Sequence, residues 1–272
     1  MTLSINTCNN AASGITANEL ILDLLATHEA HTLPVAVLCR AAAVFGMTEQ
    51  NVRVALTRLV QQGKIANKAR GVYTWNPAGS SLFRDVENWL HKDRRVVPWD
   101  GRWVGVVDVG VPRRNRTVWR WHERALALRG FQPLYDTLHL RPDNLGGGIE
   151  LLRQELAELG LAPEAVVLGV HGLSAGDEQR ARRLWDAAAL QEGYRAMLEQ
   201  LQRSEAKLDR MPLQEAAAET LLLGRSVIRR IIRDPLLPEE LVPSAERRTL
   251  IERMRGYQER ARGIWMRILE GA

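Results

Sequence analysis

Apolar residues recur at helical spacing three times near the start of the chain. Leu20, Ile21, Leu24 and Leu25 share one side of Ile15 to Thr27, with Thr16 set to cap the first turn. Leu33 to Phe45 form a second apolar-periodic stretch that Gly46 ends, and Glu49 to Gln62 form a third, opened by Thr48 and closed by Gly63 in a C-cap position. From Lys64 to Trp75 the pattern changes to β-branched and aromatic residues around Ala69-Arg70-Gly71, which predicts a hairpin that Asn76-Pro77 stops. Helix, helix, helix, hairpin is the order of a winged helix-turn-helix.

Ser80 to Arg95 is helical again, with Leu82, Phe83, Val86, Trp89 and Leu90 on one side, and reads as a connector. A second unit follows. Trp103 to Val109 suits a buried strand, Asn115 to Arg129 a basic helix, Phe131 to Leu140 extended segments, Leu145 to Leu159 a helix and Ala165 to Val170 a strand. That order predicts a ferredoxin-like α/β sandwich. Beyond Asp177 only helices are expected: Glu178 to Leu201, Pro212 to Arg233 and Ser244 to Leu269. The predicted class is therefore α+β and multidomain: a winged helix over 1–76, a connector helix over 77–98, a ferredoxin-like domain over 99–175 and an all-helical domain over 176–272.

Composition narrows the function classes. With 272 residues, 46% hydrophobic and 25% charged, the chain is globular, and no stretch approaches the roughly 18 unbroken apolar residues of a spanning helix. Two cysteines, Cys8 and Cys39, supply no disulfide framework, so a reducing cytoplasm is the expected location and no membrane partner is expected. Residues 1–136 hold 17 Lys and Arg against 11 Asp and Glu, whereas 137–272 hold 20 against 21. A polyanionic partner is thus expected at the N-terminal half.

The third helix supplies a surface for one. Val52, Leu56 and Leu59 fall at i, i+4 and i+7 and face the core, leaving Gln50, Arg53 and Thr57 outward with Asn51, Val54 and Arg58 beside them. Such a polar face fits a major groove, where Arg forks to guanine, Gln or Asn pairs with adenine, and Thr or Val touches a thymine methyl. Thr48, at the helix start, joins this set, and Lys68 and Arg70 at the hairpin tip would lie along phosphates or in the minor groove. The plain alternative is a solvated helix face.

The run Met47-Thr48-Glu49-Gln50-Asn51-Val52-Arg53-Val54-Ala55-Leu56-Thr57-Arg58-Leu59-Val60-Gln61-Gln62-Gly63, with Trp99-Asp100-Gly101-Arg102-Trp103 further on, resembles the PaaX family of bacterial transcriptional repressors. Leu184-Trp185-Asp186, Glu192-Gly193-Tyr194-Arg195 and Arg233-Asp234-Pro235-Leu236-Leu237-Pro238 are similar to that family's C-terminal landmarks. The resemblance implies a winged helix, a central ferredoxin-like domain akin to a small CRISPR-associated nuclease, and a helical C-terminal domain. It further implies repression of aromatic catabolic genes, relieved by an aryl acyl-CoA such as phenylacetyl-CoA. Arg225-Ser226 stands where the family usually has a His-Glu pair. The expectation is a non-enzymatic homodimeric repressor on a palindromic operator, displaced by its effector.

Other chemistry is thinner. Asp108 ends the first central strand where the nuclease relatives place a metal-binding carboxylate; a metal-dependent nuclease is the alternative function, and a structural aspartate the plainer reading. His28 and His31 lack further ligands, Ser174, Ser204 and Ser226 lack a nucleophile elbow, and Gly146-Gly147-Gly148 lacks the Lys and Ser/Thr of a P-loop, so no catalytic or metal residue is expected. Trp185 and Tyr194 are effector-stacking candidates with Arg229 or Arg233 for charge, although aromatics at helical spacing usually belong to a core. Arg113, Arg114, Arg116, Arg120, Arg124 and Arg129 form the densest basic cluster, for which DNA phosphates, a CoA-type ligand and an acidic domain face are all candidate partners; the domain face is the first expectation.

Overall fold

A computed structural model describes residues 14–28, 30–76 and 89–270. The polar arm with Cys8 and the connector residues 77–88, including Leu82, Phe83 and Val86, lie outside the described residues. The chain is α+β, with two antiparallel sheets and a helical C-terminal region. It divides into two compact units: one from the described parts of 1–87, 200–227 and 253–272, the other from those of 88–199 and 228–252.

In the first unit, α1 (Ala17–Thr27) opens with a capping box in which Thr16 and Glu19 each satisfy the other's backbone N–H. Then come β1 (Thr32–Pro34), α2 (Val35–Ala43), α3 (Glu49–Gln61), β2 (Ile65–Ala69) and β3 (Val72–Trp75). The strands make a sheet of order β1-β3-β2. The second helix begins at Val35, not Leu33, because Leu33 and Pro34 pair with Tyr73 and Val72 as a third strand. Its three residues are too short to interrupt an apolar helical pattern visibly. Gly63, at φ 68°, closes α3 while Lys64 N–H reaches back 3.0 Å to the Leu59 carbonyl.

The core of this unit joins Leu20, Ile21, Leu25, Leu38, Leu56 and Leu59 to Ala217 and Trp265, two residues from far along the chain. Trp265 stacks on Phe45 at 6.4 Å between ring centroids, Arg40 donates to the Leu269 carbonyl, and Arg225 bridges Glu19 and Asp23 of α1.

In the second unit Trp89–Arg95 forms a 3-10 turn, followed by β4 (Trp103–Val107), α4 (Arg116–Leu128), β5 (Gln132–Tyr135), β6 (Leu138–Pro142), α5 (Gly148–Leu159) and β7 (Val166–Val170). The sheet order is β5-β6-β4-β7 with every pairing antiparallel, so β4 is central and buried, and α4 and α5 pack on each other. The helical region comprises α6 (Ala175–Arg182), α7 (Ala187–Leu208), α8 (Leu213–Ile232) and α9 (Ala245–Glu270). One continuous helix over 178–201 is not formed. Asp186 caps a fresh start, accepting from Ala189 N–H at 2.9 Å, while Trp185 turns inward to stack on Trp103 with centroids 6.2 Å apart. Among the described residues no helix is long and apolar enough to cross a membrane.

Candidate nucleic-acid interface

The third helix is held by its inner edge. Val52, Ala55, Leu56 and Leu59 are each 3% exposed or less, which fixes the rotation of α3 and leaves Gln50, Asn51, Arg53, Thr57 and Arg58 in solvent. Thr48 accepts from Asn51 N–H at 3.2 Å, and the Asn51 side-chain oxygen accepts from Thr48 N–H at 2.8 Å. Thr48 and Asn51 are therefore spent first on capping, and Asn51 has only its amide NH2 group left for a base edge. Arg53 donates through Nε to Glu49 at 2.7 Å, and this partner holds its pKa above the usual arginine value. The pair is open to water, so its ions separate cheaply and Arg53 remains available to a stronger acceptor. Thr57 donates to the Arg53 carbonyl at 3.0 Å, so its hydroxyl is already engaged within the helix.

Lys68 and Arg70 are exposed on the hairpin. The pairing steps from Asn67↔Tyr73 to Ala69↔Val72, so Lys68 is the extra residue of a bulge, and Arg70 sits in the turn before Gly71 at φ 73°. The eight residues singled out on α3 and the hairpin thus belong to one unit and are all exposed.

The remaining candidates do not gather in this way. Trp185 and Tyr194 are core residues: the Trp185 indole donates to the Gly130 carbonyl at 3.2 Å, and the Tyr194 hydroxyl donates to Asp234 at 2.5 Å. Burial and then the Asp234 charge drive the Tyr194 pKa far upward. Arg229 and Arg233 are exposed, so these four residues present no common aromatic face with a cation beside it. Instead, the segment that follows Arg233, Asp234-Pro235-Leu236-Leu237-Pro238, is the centre of a buried polar hub. Asp234 also accepts from Leu236 N–H at 2.8 Å, Lys92 donates to the carbonyls of Ile231, Ile232 and Asp234, and Asn144 donates to the Leu236 carbonyl at 2.7 Å. Fully buried Arg141 donates to the Arg129 carbonyl and the Asn144 side chain, and desolvation pulls its pKa down to about 9. Gly130 is required there: a Cβ would come within 2.8 Å of Pro235. The motif's job in this chain is to anchor the end of α8, which spacing alone did not reveal.

Asp108 is 1% exposed and faces two histidines, His122 Nε2 at 3.5 Å and His139 Nδ1 at 3.7 Å. His122 Nδ1 accepts from Ala162 N–H at 3.3 Å, which puts the neutral ring's proton on Nε2, toward Asp108. Burial, only partly opposed by Asp108, lowers both histidine pKa values. A carboxylate enclosed in this way presents nothing to a phosphodiester arriving from solvent. Among the described residues no group of three or more His, Cys, Asp or Glu is arranged to hold a metal ion. Of the central arginine cluster, among the described residues, only Arg129 forms an ion pair, with Glu155 at 2.8 Å.

Two family profiles match this chain. One, described as PaaX-like protein, covers residues 16–75 and so contains α1 to α3 and the hairpin; the other, PaaX-like protein C-terminal domain, covers 185–267. The chain belongs to the PaaX-like family. The first stretch contains the α3 and hairpin residues Thr48 to Arg70, and the second contains Trp185, Tyr194, Arg229 and Arg233. Among PaaX-like relatives, the transcriptional repressor PaaX of Escherichia coli (strain K12) is 25% identical over 210 residues, spanning 73% of this chain and 64% of that protein. The solved structure of the uncharacterized protein Rv0674 from Mycobacterium tuberculosis shares the fold, with TM-score 0.59 and 22% identity over 92% of this chain and 98% of the other.

Proposed function

We propose that this PaaX-like protein is a DNA-binding transcriptional repressor that reads an operator with α3. The observation that carries the reading is the outward polar edge Gln50, Arg53, Thr57 and Arg58, held in register by a buried Val52-Leu56-Leu59 edge and flanked by Lys68 and Arg70 on a bulged hairpin. Helix order and hairpin support a winged helix in the first unit, with α3 in the major groove and the hairpin along the backbone. The all-antiparallel order β5-β6-β4-β7 with two crossing helices supports a ferredoxin-like second unit. The E. coli relative is named a repressor, and in our reading this chain is a cytoplasmic homodimer that sets two copies of α3 about one helical turn apart on an imperfect palindrome. An aryl acyl-CoA or related aromatic acid lowers operator affinity by favouring a dimer geometry with mismatched spacing, which requires unequal affinity for the two geometries. The enclosure of Asp108 gives the nuclease alternative no support.

The test is selection of duplexes from a random pool by the full-length protein, followed by footprinting. Two protected half-sites with centres about 10 base pairs apart are expected, and phenylacetyl-CoA should release them. A pool that emerges without any sequence preference refutes base reading by α3.

A further inference from the structure

The arginine stripe of α4 lies far along the sequence from α3 and in the other compact unit. Arg116, Arg120 and Arg124 follow one another at i, i+4 and i+8, so their stems emerge about 6 Å apart along one line of the helix. Arg113 and Arg114 lie in the turn just before the helix, and all five are exposed. Among the described residues none of the five forms an ion pair, unlike Arg129, and Glu123 is the sole acid on the helix. Arg113 donates to the Asp136 carbonyl at 3.0 Å and lies over Trp119, and Arg124 lies over half-exposed Trp121.

This arrangement opposes the helix's own electrostatics. Like charges at i, i+4 repel, and Arg113, Arg114 and Arg116 crowd the N-terminus, the positive end of the helix dipole, where the first turn carries no acid. Several exposed helix arginines elsewhere do pair with an acid one turn away: Arg53 with Glu49, Arg153 with Glu150 and Arg182 with Glu178. Guanidinium groups repeated at this interval, with indole faces alongside, match a chain of phosphates in which each charge takes its own partner.

We infer that the α4 stripe is a second nucleic-acid contact, gripping the phosphate backbone of duplex DNA without reading its sequence. The inference rests on the DNA-binding reading of α3 and assigns a separate role: α3 selects the site, and the stripe adds sequence-independent affinity on duplex longer than that site.

The experiment compares full-length wild type, the triple variant R116Q/R120Q/R124Q and the α3 variant R53A on 40-base-pair duplexes, one selected and one scrambled, across a range of salt. Neutralising three exposed arginines is expected to leave the circular dichroism and melting curve in place. It should lower the slope of log affinity against log salt by about 2.7, on the basis of about 0.9 per phosphate contact, and weaken both duplexes alike. R53A should lose the preference for the selected duplex instead. A triple variant with the wild-type slope overturns the inference while leaving the α3 reading intact. A triple variant that keeps the slope but changes its sedimentation coefficient also overturns it, because the stripe would then face a protein. If wild type binds neither duplex, both readings fall together.

Discussion

Trp265 ties the end of the chain to the unit that carries the candidate DNA-reading helix, so its removal should weaken that unit. The residue is 8% exposed, packs in the cluster with Leu25, Leu38 and Leu56, and stacks on Phe45. Truncating a buried Trp to Ala costs about 3 to 5 kcal/mol through lost transfer energy and the cavity left behind. Among the described residues its buried indole N–H has no hydrogen-bond partner, a burden of about 1 to 3 kcal/mol that leaves with the ring. The net loss for Trp265→Ala should thus centre on about 2 kcal/mol, a sizeable part of the roughly 5 to 15 kcal/mol that holds a typical domain. Trp265→Phe removes the unpaired N–H but keeps most of the packing, and should cost about 1 kcal/mol or less. Hydrogen exchange at the α3 amides reads this unit separately: both variants should lose protection there in the order Ala well beyond Phe. Equal effects from Ala and Phe, or a change below about 1 kcal/mol for Ala, would refute the idea that the final helix completes this core.

Other consequences are accessible to simple measurement. Tyr194→Phe takes a donor from buried Asp234 and should cost about 2 kcal/mol in urea unfolding, the scale of a hydrogen bond to a charged group. Thr48→Ala breaks the cap of α3 and should lower stability by about 1 kcal/mol, with the first turn of α3 losing exchange protection. Because burial depresses the folded pKa of His122 and His139, the unfolded chain takes up protons first as pH falls. Stability is therefore fully present above the unfolded value of about 6.5 and declines as pH falls through it toward the folded values. The urea midpoint should drop between pH 7.5 and 5.5, and less so in a His122→Gln/His139→Gln variant; identical pH profiles would contradict this assignment.

What the sequence disclosed depended on whether a local pattern carried the information. The orientation of α3 was readable because Val52, Leu56 and Leu59 share one edge and their burial dictates what faces outward. The capping use of Asn51 was also in reach, since Thr48 and Asn51 stand three apart as in a capping box, with Asn in place of the usual Glu or Gln. β1 escaped because Leu33-Pro34 continue an apolar run, and the break at Leu184-Trp185 escaped because Trp185 leaves helical register for a partner 82 positions earlier, Trp103. The membership of Ala217 and Trp265 in the N-terminal core, and the hub around Asp234, are products of long-range packing that no local periodicity encodes.

The claim that α3 reads bases is tested most directly by the equilibrium affinity of full-length wild type and Arg53→Ala for a selected duplex and its scrambled counterpart at one fixed salt concentration. A forked Arg contact to a base pair predicts a loss of about tenfold to a hundredfold on the selected duplex, with the scrambled one almost unchanged. Equal losses on the two duplexes would contradict the account, because they would make Arg53 one more phosphate contact.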